Sequence, residues 1–285
     1  MRPLRDQVIL ITGATDGLGK AVALQLAHTG VTLLLHGRDE ARGQRTLEEI
    51  RAQTGNTRLQ WYRADFSQLS QVRALAERLA REQERLDVLV NNVGIGTTLP
   101  GEGARQESAD GYELRFAVNY LAPFLLTRLL LPMLRQSAPA RIVNVSSAGQ
   151  APINFRDVML EHHYDGVQAY CQSKLALVMF TFDLAEELAG TGVTANCLHP
   201  ATYMPTKMVL AARGSSVSTI EEGVQATTHL ITAPELDQVT GRYFNGQRQA
   251  RAESQAYDRQ ARHQLRQLSE QLTGLTGSYK GGDRR

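Results

Sequence analysis

The chain has 285 residues, 42% hydrophobic and 21% charged, with 31 Lys and Arg against 29 Asp and Glu. That length suits one large α/β domain with a substantial core, and a net charge of +2 argues against nucleic acid as the main partner. Cys171 and Cys197 lack metal-ligand spacing, and residues 1–8 carry no apolar run with a small-residue cleavage site. Reduced thiols in a soluble cytoplasmic protein are therefore expected.

Short apolar runs alternate with helical periodicity along the chain. Residues 8–11 predict a buried strand and 17–28 a helix. A second strand is expected at 31–36, a polar-faced helix at 39–52, a third strand at 58–63 and a helix at 69–81. The fourth strand falls at 86–90. A long helical stretch follows over 110–135, with a break expected near Pro123. Its most apolar part, 121–134, contains Arg128 and is too short for the roughly 18 residues of a membrane span. Strand five is expected at 141–145, a helix at 168–189, strand six at 193–198, a helix at 219–231 and a seventh strand at 239–244.

Strands without polar alternation, each followed by a helix, predict a doubly wound parallel sheet covered on both faces, a Rossmann-like α/β fold. No Pro/Gly-rich linker divides the first 245 residues, so 1–246 is expected to form a single domain with integral substrate loops at 148–165 and 203–218. Residues 247–285 form a polar extension rich in Gln and Arg. It is expected to be a solvated appendage, helical to about 272 and frayed from 273 onward. Residues 242–285 hold nine Lys and Arg against four Asp and Glu, so docking to an acidic surface is the functional alternative.

Four segments carry chemistry. Thr12-Gly13-Ala14-Thr15-Asp16-Gly17-Leu18-Gly19 joins the first strand to the first helix. Glycines there let a pyrophosphate approach the backbone, and the helix N-terminus offers free N–H groups. Tyr170 and Lys174 stand at i and i+4, on one helix face. A phenol is a poor base at neutral pH, and a neighbouring ammonium lowers its pKa. Asn144-Val145-Ser146-Ser147 ends the fifth strand, where parallel sheets bind ligands. Asn91-Asn92-Val93-Gly94 follows the fourth. Turn and cap chemistry would explain either of the last two segments equally well. His162 and His163 are adjacent and point apart with no carboxylate cluster, so no metal site is expected.

Together and in this order, these motifs resemble the short-chain dehydrogenase/reductase family over about 7–246, most closely its retinol dehydrogenase-like branch. The phrases 141–147 and 169–176, His199-Pro200 and the insert between Ser147 and Tyr170 carry that likeness. The resemblance implies a catalytic tetrad of Asn119, Ser147, Tyr170 and Lys174. Ser147 and Tyr170 would hold the substrate oxygen and Lys174 would lower the Tyr170 pKa. Asn119 would position a water. It implies cofactor contacts at Gly13, Thr15, Asp16, Gly17, Leu18, Gly19, Arg38, Asp65, Phe66, Asn92, Gly94, Tyr170, Lys174, Pro200 and Thr202. Val93 replaces the family's alanine and Ala201 the glycine after the sixth strand. The threonine that caps the nicotinamide amide is either Thr202 or Thr206.

The second strand ends Leu35-His36-Gly37-Arg38. Gly37 stands where NAD-preferring members carry aspartate, and Arg38 could grip a 2′-phosphate, so NADP(H) is the expected cofactor. Asp16 opposes that reading, because NADP-preferring relatives often place a base there. It would instead cap the first helix. Ile153, Phe155, Val158, Met159, Tyr203, Met204 and Met208 are expected around a small-molecule, largely apolar carbonyl compound or alcohol. An NADP(H) sensor without turnover, or an isomerase or cyclase on this fold, is the alternative. A homo-oligomer is compatible with the family.

Overall fold

The computed structural model describes residues 1–97 and 104–275. Eight strands form one sheet in the order β3-β2-β1-β4-β5-β6-β7-β8. They are β1 (Val8–Thr12), β2 (Thr32–Gly37), β3 (Leu59–Arg63), β4 (Val88–Asn91), β5 (Ala140–Val145), β6 (Val193–His199), β7 (Tyr243–Asn245) and β8 (Arg248–Ala250). The first seven run parallel, and β8 returns antiparallel as a hairpin on β7. The chain winds outward from β1 to β3, then crosses back to β4. The switch point therefore falls between β1 and β4, where a ligand crevice opens at the strand C-termini.

Alternation along β1 sorts the two faces of the core. Ile9 and Ile11 pack with α1 (Gly17–Ala27), α2 (Glu40–Thr54) and α8 (Ile220–Thr232) through Val22, Leu26, Leu47 and Leu230. Leu10, between them, points to the opposite face. There it joins Leu75, Leu126, Leu177 and Leu265 of α3 (Leu69–Glu82), α5 (Ala122–Gln136), α6 (Gly166–Glu187) and α9 (Arg259–Leu272).

Four sequence expectations change. The long helix begins at α4 (Leu114–Phe116) and runs through a π-helical turn, Ala117–Leu121, into α5 without a break at Pro123. A proline ring crowds the carbonyl four residues back, here that of Asn119, and the wide turn lets the helix pass it. The combined helix Leu114–Gln136 is long and apolar enough to cross a membrane, which the sequence count had excluded. However, 83% of its apolar window is buried inside the fold, so it is a core helix. The seventh strand is shorter and later than expected, and a helix not foreseen, α7 (Lys207–Arg213), lies within 203–218.

The polar extension is not a solvated appendage. It supplies β8 and α9, and Ala261, Arg262, Leu265 and Ser269 are buried against the domain. Thr273 and Leu275, expected to fray, are buried as well. The remainder, 276–285, lies outside the described residues.

Candidate active site

The turn after β1 is shaped by its glycines. Gly13 and Gly17 adopt positive φ, which only glycine does without strain. A Cβ on Gly19 would fall 2.3 Å from the Gly13 carbonyl oxygen, so this position has no room for a side chain. Asp16 caps α1 by accepting from the Gly17 amide at 2.8 Å. Asn92 straps the turn to β4: its Nδ2 donates to the Thr12 and Gly13 carbonyls at 2.9 and 3.1 Å. The turn is thus a rigid cradle of backbone at a helix N-terminus, and it fits a dinucleotide pyrophosphate.

Ser147, Tyr170, Lys174 and Asn119 converge beside it. The end of β5 provides Ser147, whose Oγ accepts from the Gly149 amide at 3.0 Å and which faces the Tyr170 side chain closely enough to lower its pKa. Lys174, one turn along α6 from Tyr170, is buried, with Nζ donating to the Val145 carbonyl at 3.0 Å. The π-helical turn presents Asn119. Its carboxamide clamps the Ile95 backbone on both sides, at 2.8 and 3.1 Å, and Nδ2 also donates to Ser173 Oγ at 3.0 Å. Gly94 lets these groups meet, since a Cβ there would lie 3.2 Å from Lys174 Nζ and 3.5 Å from Asn119 Oδ1.

The electrostatics differ from the expectation that Lys174 lowers the Tyr170 pKa. Burial raises the Tyr170 phenol above its ordinary value, with Ser147 opposing that rise. Lys174 Nζ stands 5.9 Å from the Tyr170 ring centroid and spends a proton on Val145. Burial alone brings its ammonium down to about 8.

The other expected positions divide. Arg38 is exposed just beyond β2, and its side chain has no ion pair among the described residues. Its acidic neighbours are engaged elsewhere: Asp39 caps α2 and pairs with Arg42, and Glu40 accepts from Trp61 Nε1 at 3.1 Å. Gly37 has no room for a side chain. A Cβ there would meet Trp61 at 2.7 Å and Thr15 at 3.1 Å. Phe66 is buried and stacked on His36, its ring centroid 4.3 Å away, and Asp65 accepts from the Ser67 amide and hydroxyl. Leu18 is likewise buried. Pro200 is buried at the end of β6. Thr202 bonds His199 Nε2 at 3.0 Å, and Thr206 caps α7.

Of the expected pocket residues, Ile153, Val158 and Met204 are buried in the core, Phe155 and Met159 are partly buried and Tyr203 is exposed. The Met208 side chain lies outside the described set. A recess of about 600 Å³ shares Pro200 and Thr202 with the expected cofactor contacts, and its lining includes none of the tetrad.

Sequence reasoning missed two supports. Arg115, buried beside Glu113, donates to the Gly96 and Thr97 carbonyls and to the Tyr164 hydroxyl, pinning the loop after β4 to the approach of α6. Lys207 pairs with Asp16 at 2.5 Å. Neither partnership has a sequence signal, because the partners lie far apart in the chain.

A phenol facing a serine hydroxyl, with a buried lysine behind them and a phosphate turn alongside, belongs to nucleotide-dependent oxidoreductases. The short chain dehydrogenase model matches residues 7–215, and the chain belongs to the short-chain dehydrogenase/reductase family of enzymes. It is 36% identical over 290 residues to retinol dehydrogenase 13 of Mus musculus, covering 96% of this chain and 85% of that protein. Among solved structures it resembles the RhlG/NADP active-site complex of Pseudomonas aeruginosa, with TM-score 0.69 and 25% identity over 86% of this chain and 97% of that one. It also resembles 3-ketoacyl-(acyl-carrier-protein) reductase of Brucella melitensis complexed with NADH, with TM-score 0.68 and 25% identity over 85% and 97% of the two chains.

Proposed function

We propose that this enzyme uses NADP(H) to interconvert a ketone or aldehyde with an alcohol on a medium-sized, largely apolar substrate. The observation that carries the reading is the meeting of Ser147, Tyr170 and buried Lys174 beside the Gly-rich turn, at the sheet's carboxyl edge. When bound, the nicotinamide supplies or accepts the hydride. Tyr170 gives its proton to the substrate oxygen in reduction and takes it back in oxidation. Ser147 donates a hydrogen bond to the same oxygen and fixes it against Tyr170. Burial keeps the phenol protonated at neutral pH, which suits the donor role. Lys174, buried one helical turn from Tyr170, brings a positive charge behind the pair.

Retinol dehydrogenase 13, by its name, acts on an apolar alcohol, and NADP occupies the RhlG complex. Both support the reading, as does Arg38 standing exposed at the end of β2. A panel of ketones, aldehydes and alcohols with NADPH and NADP⁺, read by cofactor absorbance, tests it. Absence of turnover with every member would defeat the reading. Arg38→Ala tests the cofactor assignment. A charge-assisted phosphate contact gives roughly 10- to 100-fold preference for NADP(H) over NAD(H), and this variant should lose most of it.

A further inference from the structure

Asp16 sets a problem for any phosphate-bearing ligand. Its carboxylate stands at the mouth of the Gly-rich turn, on the N-terminus of α1, where an anion would bind. A carboxylate charge in that place repels phosphate.

The structure shows what offsets it. Residues 202–218 form a loop closed at its neck by Ser218 N to Thr202 O at 3.1 Å and Val217 N to Tyr203 O at 3.0 Å. Its helix α7 begins with Lys207, whose Nζ lies 2.5 Å from Asp16 Oδ2. The contact is seated on both sides. A Cβ on Gly17 would touch the Thr206 methyl at 3.2 Å, and one on Gly223 would strike Met204 Sδ at 2.3 Å and approach Leu18. The loop carrying Lys207 thus packs directly on the phosphate turn. From 188 to 220 the sequence holds no Asp or Glu, so Lys207 has no acidic partner within its own segment. Burial works to raise the Asp16 carboxyl, but its bonds to Lys207 and the Gly17 amide and the charges of Lys207 and Arg42 bring it below its usual range. It is therefore ionised at neutral pH.

We infer that Lys207 is a specificity-determining residue for the cofactor: it neutralises Asp16 from the substrate loop, and so permits a multiply charged dinucleotide to bind a turn that carries an acid. The inference rests on the proposed use of this turn by NADP(H). Lys207 acts through Asp16, and the loop 202–218 thereby sets the charge of the phosphate turn.

The test is direct titration of NADP⁺ and NAD⁺ with the full chain, read by intrinsic fluorescence or calorimetry. It compares wild type, Lys207→Gln, Lys207→Arg, Asp16→Asn and the double variant. The Lys207 side chain is 78% exposed, so its variants are expected to fold, and thermal melts verify this. Lys207→Gln should weaken NADP⁺ binding about tenfold or more, and NAD⁺ binding less, because NAD⁺ carries one phosphate fewer. Lys207→Arg should retain affinity. Asp16→Asn should leave NADP⁺ affinity equal or tighter, and adding it to Lys207→Gln should return affinity to within about threefold of wild type. If Asp16→Asn and Lys207→Gln weaken binding alike, the pair is only a tether for the loop and the inference fails. It also fails if Lys207→Gln changes nothing. A wild type that binds neither dinucleotide removes the proposed function itself, a result distinct from both.

Discussion

Tyr170 and Lys174 share a helix face, yet their surroundings press them in opposite directions. Burial holds the phenol protonated and makes the ammonium easier to discharge. Tyr170→Phe keeps the ring and removes the proton. Turnover should fall at least about 100-fold while the dissociation constant for NADP⁺ stays near wild type, and near-normal turnover would refute the acid/base role. Lys174 makes a separate prediction for stability. Its folded pKa is about 8 against an ordinary 10.5, so between those values the unfolded chain binds more protons than the folded one. Stability should therefore rise with pH across that window, by about 3 kcal/mol. Lys174→Met should abolish the rise, which urea melts at a series of pH values would reveal. An unchanged slope would mean that the buried ammonium is not its source.

At the scale of elements, the site is made by two irregularities. The π-helical turn between α4 and α5 puts Asn119 against Ile95, and such wide turns recur at functional sites. The Gly-rich turn depends on close approach of α1 to β1 and β4. Gly19→Ala would drive a methyl into the Gly13 carbonyl and Asn92 Nδ2, at 2.3 and 2.4 Å before any shift. Relieving that clash should cost about 1–3 kcal/mol and displace the cradle. The expected outcome is a lower melting temperature together with at least about tenfold weaker NADP⁺ binding, at 1.4 kcal/mol per decade. Retained affinity would show that the cradle tolerates the extra carbon.

For the whole molecule, the C-terminal helix α9 closes the core on the face opposite α1 and α2. Leu265 enters the same cluster as Leu177, and Ser269 shares a buried hydrogen bond with Tyr120 at 2.6 Å. Arg262 and Arg259 pair with Glu186, and Arg266 with Asp183. Part of the local basic excess is therefore used inside the fold. Leu265→Ala should cost about 2–5 kcal/mol, measured by denaturant unfolding. A loss under about 0.5 kcal/mol, typical of surface sites, would mean that α9 merely rests on the surface. Ending the chain at 272 should also lower stability, because it removes buried Thr273 and Leu275.

Periodicity and turn chemistry in the sequence determined the strand-helix order, the phosphate turn and the Tyr170–Lys174 pair, because each is a local pattern of a few residues. The resemblance extended that set to Asn119 and Ser147. Only tertiary structure decided what lies across the chain. Trp61 fills the space beside Gly37, Lys207 meets Asp16, and Arg115 holds the loop after β4. It also decided the fate of α9, whose polar composition gave little sign of docking. Four buried residues in fourteen, set on one face and completed by ion pairs to α6, suffice to seat it. The Tyr170 pKa belongs to this second group too. Chain spacing brings an ammonium near the phenol, but burial, a property of the packed molecule, decides which way the proton equilibrium moves.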